Sequence, residues 1–103
     1  MNNKIIYEYM VDIDFPIPLN AEFITLIPKQ RELINNLMSE KVITSYAVSI
    51  EDGKLWTTLL AGSEEEVINI LTSFPIIVQV EYKIFKLAFH NTISAITPQF
   101  SLN

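Results

Sequence analysis

The sequence predicts an α+β domain in the order β-α-β-β-α-β, and three observations carry that reading. Four runs are rich in β-branched and aromatic residues, two amphipathic stripes begin at capping residues, and an Asp-Gly pair joins the two middle runs. The sheet these runs build is apolar on both faces, which predicts a second copy covering one of them.

Residues 4–13, KIIYEYMVDI, read as the first strand. It ends where Pro16 and Pro18 deny the ladder its donors. From Asn20, a candidate N-cap, apolar residues at Phe23, Leu26, Ile27, Leu33, Ile34, Leu37 and Met38 fall on one helical stripe running to about Glu40. Pro28 lies inside that stripe, where it removes a backbone donor and predicts a kink or a break, or else begins a second helical segment after a short one.

Residues 42–50 and 55–61 are strand-like and flank Glu51-Asp52-Gly53-Lys54, whose Asp-Gly centre suits a two-residue hairpin turn. That turn predicts Ser49 opposite Trp56, Tyr46 opposite Leu59 and Ser45 opposite Leu60. Ser63-Glu64-Glu65-Glu66 is a capping box with acidic residues at the positive end of a second helix. Its stripe is Val67, Ile70 and Leu71, closing at Ser73-Phe74-Pro75, and residues 77–87 read as the last strand. Two helical connections and one hairpin give a ferredoxin-like α+β arrangement, a four-stranded antiparallel sheet with both helices on one face.

Composition narrows the function. The 103 residues suit one domain, with an ordered core over about 4–90 and a C-terminal tail, 91–103, without clear period. The hydrophobic share is 50% against 18% charged, so surplus apolar surface needs covering. No run approaches the roughly 20 apolar residues of a membrane helix, and no cleavage site follows the start, so no membrane partner and a cytoplasmic location are expected. A net charge of -5 with seven scattered Lys and Arg offers no stripe for nucleic acid. With no cysteine, one histidine and two glycines, the chain has no thiolate or His-cluster metal site and no phosphate-cradling loop, so no cofactor is expected.

Strand alternation defines two sets of positions. One contains Tyr7, Tyr9, Val11, Tyr46, Val48, Leu55, Leu59, Tyr82 and Ile84 and is nearly all apolar. The other mixes Ile6, Met10, Ile43, Trp56 and Leu60 with Glu8, Ser45, Ser49, Thr58 and Glu81. That mixture predicts a face buried against a symmetric partner while lining a partly polar cavity, or the reverse assignment of the two sets.

The segments FITLIPKQR (23–31), Ser45-Tyr46-Ala47, Lys54-Leu55-Trp56, Ser63-Glu64-Glu65-Glu66-Val67, Ser73-Phe74-Pro75 and Leu87-Ala88-Phe89-His90-Asn91 occur in an order that resembles the muconolactone isomerase family. The resemblance covers nearly the whole chain. It implies a homodimeric α+β barrel, sometimes a larger ring of dimers, with a small-molecule pocket between sheet and helices. It also implies cofactor-independent double-bond migration in a small lactone acid by proton transfer. Where muconolactone isomerases carry a Glu-Lys pair in the first helix, this chain has Gln30-Arg31, so that glutamate's acid-base role does not carry over.

His90, the sole histidine, is the natural proton carrier; its alternative is a hydrogen-bonded structural role. Arg31 suits a substrate carboxylate, or else a solvated ion pair. Gln30 is bracketed by the apolar stripe and either bonds the sheet or faces a ligand. Glu8 and Glu81 project from the mixed face as candidate bases, with edge exposure or an ion pair to Lys83 or Lys4 as the alternative. Tyr46 and Trp56 correspond to family positions that wall a pocket, and core packing explains them equally. The competing functions are a muconolactone isomerase-like enzyme, a cofactor-free monooxygenase of the related dimeric-barrel type, and a non-catalytic small-molecule-binding or assembly domain.

Overall fold

The computed structural model describes residues 4–93. The strands β1 (Tyr7–Asp14), β2 (Ile43–Ser49), β3 (Lys54–Ala61) and β4 (Glu81–Lys86) alternate with the helices α1 (Ala21–Ser39) and α2 (Glu64–Leu71) in the predicted order. Hydrogen bonding arranges the strands β2-β3-β1-β4, antiparallel throughout. This is the ferredoxin-like α+β arrangement. Among the described residues no helix is long and apolar enough to cross a membrane.

Tyr9, Val11 and Ile13 on β1, and Leu55, Leu59 and Ala61 on β3, are buried on one face of the sheet. They join Phe23 and Ile34 from α1 and Val67 and Leu71 from α2 in one core, so both helices cover that face. The burial follows from the apolar alternation, since these residues share strand parity.

Both predicted helix starts are present. Asn20 Oδ1 accepts the Phe23 N–H at 2.7 Å, and Ser63 Oγ accepts that of Glu66 at 3.2 Å while Glu66 accepts the Gly62 N–H at 2.9 Å. Lys41, at φ 63, ends α1. Its N–H donates to Met38 and that of Val42 donates to Leu37, a Schellman closure built on lysine instead of glycine.

Four expectations are corrected. Pro28 neither breaks nor ends α1, which runs through it; Pro28 and Ile24, whose carbonyl loses its partner, both face solvent, where water can substitute. Residues 77–80 are not strand: Ile77–Gln79 form a 3-10 turn, and β4 starts at Glu81. Ile43 belongs to the buried face, not the mixed one, because an irregularity between Ile43 and Ser45 inserts Thr44 and shifts the alternation.

The hairpin register is the fourth. Ser49 pairs with Lys54, Ala47 with Trp56, Tyr46 with Thr57 and Ser45 with Thr58. Residues 50–53 form the loop, closed by a 3.2 Å bond from the Gly53 N–H to the Ile50 carbonyl. The slip is two residues, so the side chains from Ser45 to Ala61 keep their predicted faces. Gly53 adopts φ 64, and its carbonyl accepts the Phe15 N–H at 2.9 Å. Gly53→Ala is therefore expected to cost about 1 kcal/mol by forcing a side chain into the left-handed region, as read by urea melts, although the added methyl itself finds room.

Candidate functional site

A cavity of about 470 Å³ lies between α1 and the β2–β3 hairpin, within the usual size range for small-molecule sites. Its apolar walls include Phe15, Phe23, Ile27 and Ile34, and its polar groups are Gln30, Arg31 and Tyr46. Three residues predicted for ligand binding thus meet in one place, because positions 23, 27, 30 and 34 follow the helical stripe and Tyr46 shares the covered sheet face. Val48 and Ile50 line the same cavity and are 44% and 60% exposed, and Arg31 is exposed too. The mouth accordingly opens along β2, which is an edge strand.

Gln30 is only 5% exposed. Its Oε1 accepts the Ile76 N–H at 3.3 Å, whereas Nε2 is buried without a hydrogen-bond partner among the described residues. The partner of Oε1 is thus the backbone of the segment after α2 and not a sheet residue. A buried orphan donor carries a desolvation cost of roughly 1–3 kcal/mol, so it is an unusual thing to leave in a pocket wall.

Trp56, the fourth predicted binding residue, is not there. It sits on the uncovered face, half-buried, aligned with Ala47 on one side and Asp12 on the other. Even-numbered β3 positions point away from the helices, and the slipped register leaves that parity unchanged.

The predicted catalytic residues divide as well. His90 Nδ1 lies 3.1 Å from Glu8 Oε2, with the two side chains 26% and 22% exposed. Glu81 is exposed and aligned with Asp14, at the end of β1 remote from Glu8, so the two glutamates form no pair. Lys4 pairs with Glu66 at 2.7 Å, not with Glu8.

Glu8 terminates a directional chain. Thr44 donates its hydroxyl to Glu8 Oε2 at 2.6 Å, which commits its only proton. Thr58 must then donate to Thr44 at 2.6 Å, and Ser45 to Thr58 at 2.5 Å. His90 completes the carboxylate's shell, its Nδ1 facing the same Glu8 Oε2. Sequence reasoning missed Thr44 and Thr58, since the irregularity that brings Thr44 alongside Thr58 has no signal in alternation alone.

Burial pushes the Glu8 carboxyl up, but hydrogen bonds from Thr44 and His90 and the His90 charge outweigh it and hold it below the ordinary 4.5. A depressed carboxyl stabilises the fold above its unfolded value and loses that contribution as pH falls through its folded value. Glu8→Gln should therefore flatten the stability profile below pH 4.5, measured as urea midpoints at descending pH. Farther along this face, Lys54 Nζ lies 2.6 Å from Asp12 and 2.7 Å from Asp14, whose hydrogen bonds raise its pKa. This cluster anchors the hairpin end to β1.

The uncovered face between these two polar clusters is apolar. Met10 pairs with Phe85 on β4 and with Thr58 on β3, beside Trp56 and Leu60. Phe85 is 48% exposed and Leu60 36%.

No protein-family model matches this chain, and none of the curated proteins matches it by sequence.

Proposed function

We propose that the chain is a small-molecule-binding protein of the muconolactone isomerase-like type, which takes a compact ring acid into the cavity between α1 and β2. The observation that carries the reading is Arg31 at the mouth of an apolar cavity whose inner wall includes the buried Gln30. A guanidinium grips a carboxylate through two parallel hydrogen bonds, and the walls accept the ring. In the same reading two copies pack their uncovered sheet faces together as a dimeric α+β barrel. The exposed Phe85 and Leu60 support that contact.

Calorimetric titration with benzoate and its neutral amide, benzamide, tests the binding. The acid is expected to bind more tightly, and Arg31→Ala should weaken benzoate by roughly tenfold while leaving benzamide unchanged. Equal binding of both compounds to both proteins would overturn the reading.

Binding stands ahead of catalysis because the described residues that line the cavity are apolar apart from Gln30, Arg31 and Tyr46 and include no carboxylate or imidazole. A second reading, double-bond migration by proton transfer, is favoured by the Glu8–His90 pair, an imidazole held against a carboxylate. It requires the reacting carbon to reach the other sheet face, at the dimer contact. Incubating muconolactone with the protein at high concentration tests this directly, and absence of turnover would exclude that substrate.

A further inference from the structure

The two edges of the sheet are built differently. β4 is guarded by charge, with Glu81, Lys83 and Lys86 in its short run. β2 pairs with β3 alone, and residues 42–50, VITSYAVSI, contain neither a charge nor a proline. Its irregularity lies at Thr44, so the run from Ser45 to Ser49 presents a regular row of outward N–H and C=O groups. An edge of this kind is open to an added strand.

The ground beside that edge is a groove. Val48 pairs with Leu55 and shares its helix-covered side, yet Leu55 is 3% exposed and Val48 44%, so α1 stops short of the edge strand. The cavity opens into this gap. Ala47 is among its lining residues although its side chain lies with Trp56 on the other side of the sheet, so the cavity reaches the β2 main chain itself. Arg31 lines the same mouth, is exposed, and forms no ion pair among the described residues.

We infer that β2 and the groove beside it bind the C-terminal end of an extended peptide from another protein. The peptide adds as a strand outside β2, its alternate apolar side chains enter the cavity, and its α-carboxylate meets Arg31. Main-chain hydrogen bonds along the edge give affinity, the cavity selects the side chains, and the guanidinium selects the chain end. Because strand side chains alternate, the last and third-last residues face the cavity together. A second copy of β2 would supply the same hydrogen bonds but no carboxylate for Arg31, since residues 42–50 contain none. The inference does not depend on the ring-acid reading, although both bring a carboxylate to Arg31.

Calorimetry with the peptide acetyl-KTTVTF tests it, since its valine and phenylalanine fall on one side of an extended strand. The free acid is expected to bind the full chain roughly tenfold more tightly than the C-terminal amide, and Arg31→Ala should erase that difference, with thermal melts establishing that the variant is folded. Two further versions carry an N-methyl group on the valine amide or on that of the threonine after it. Only one of two neighbouring amides can face β2, so one methyl should weaken binding by roughly tenfold and the other by little. Hydrogen exchange should slow at outward amides among residues 44–49 when the free acid binds.

If the amide binds as well as the acid, if both methyl groups are tolerated, or if the β2 amides exchange as before, the inference is overturned. Slow exchange at those amides in the peptide-free chain, lost on dilution, would assign the edge to a second copy and likewise overturn it. Arg31-dependent binding of benzoate without peptide binding overturns the inference and leaves the ring-acid reading standing. Peptide binding of the expected kind without benzoate binding does the reverse.

Discussion

Phe23→Ala should lower the unfolding free energy by about 3–5 kcal/mol, the range for truncating a buried phenylalanine. Phe23 is 1% exposed and lies at the start of α1, where the Asn20 cap holds the first turn over the sheet. Its ring is 5.0 Å from that of Phe15, inclined at 49°, and such aromatic pairs contribute about 1 kcal/mol beyond the area they bury. Two effects oppose each other. The ring belongs to the main core, which argues for the upper part of the range, but it also walls a cavity that opens to solvent, so water can enter the space it leaves. The second effect places the loss nearer the lower end, equivalent to a fall in melting temperature on the order of 12 °C or more. Val78→Ala, at a residue 84% exposed, should change stability by less than about 0.5 kcal/mol. Comparable losses for the two would mean that Phe23 does not seat α1 on the sheet.

Trp56→Glu should convert the proposed dimer to a folded monomer. On the uncovered face Trp56 lies between the Glu8 chain and the Lys54 cluster, near the middle of the apolar band formed with Met10, Leu60 and Phe85. A central tryptophan is the kind of residue that carries 2 kcal/mol or more of an interface, so its loss alone weakens association by roughly thirtyfold. The new carboxylate adds a desolvation cost, and two-fold symmetry imposes it twice. Far-UV circular dichroism should be unchanged, because the substitution faces away from the helices. Light scattering should give the monomer mass at concentrations where wild type gives twice that mass. Ile24→Glu, on the solvent side of α1, should leave the mass unaltered. A wild-type chain that is monomeric at high concentration would remove the barrel from the proposal.

The order of elements was legible because each has a local cause. Asn20 and Ser63 cap their helices, Val11 and Ile13 alternate with charged residues, and the apolar stripe of α1 places Gln30 beside Ile27 and Ile34. What escaped was decided by tertiary context. The Asp-Gly pair suggested a two-residue turn, but the chain closes a four-residue loop on Gly53. Alternation is a local count, so it could not anticipate that Thr44 would be inserted and Ile43 turned inward. Residues 77–80 have strand-like composition yet turn over the core beside Phe74 and Ile76. For the site, Gln30, Arg31 and Tyr46 line one cavity, whereas Trp56 and His90 lie on the opposite side of the sheet. Side-chain parity could have separated Trp56 from Tyr46; the position of His90 depends on how the chain leaves β4, which no periodicity encodes. Residues 94–103 of the predicted tail lie outside the described residues.

The position of β4 has a consequence for synthesis. The first strand made, β1, is flanked by β3 on one side and β4 on the other. Until residues 81–86 leave the ribosome, β1 has one row of backbone groups unpaired beside Val11 and Ile13, which is the geometry that recruits foreign strands. The domain thus cannot close stepwise from its N-terminal end. Nascent or truncated chains that stop before Glu81 should be the aggregation-prone species, and the pairing that protects them arrives last.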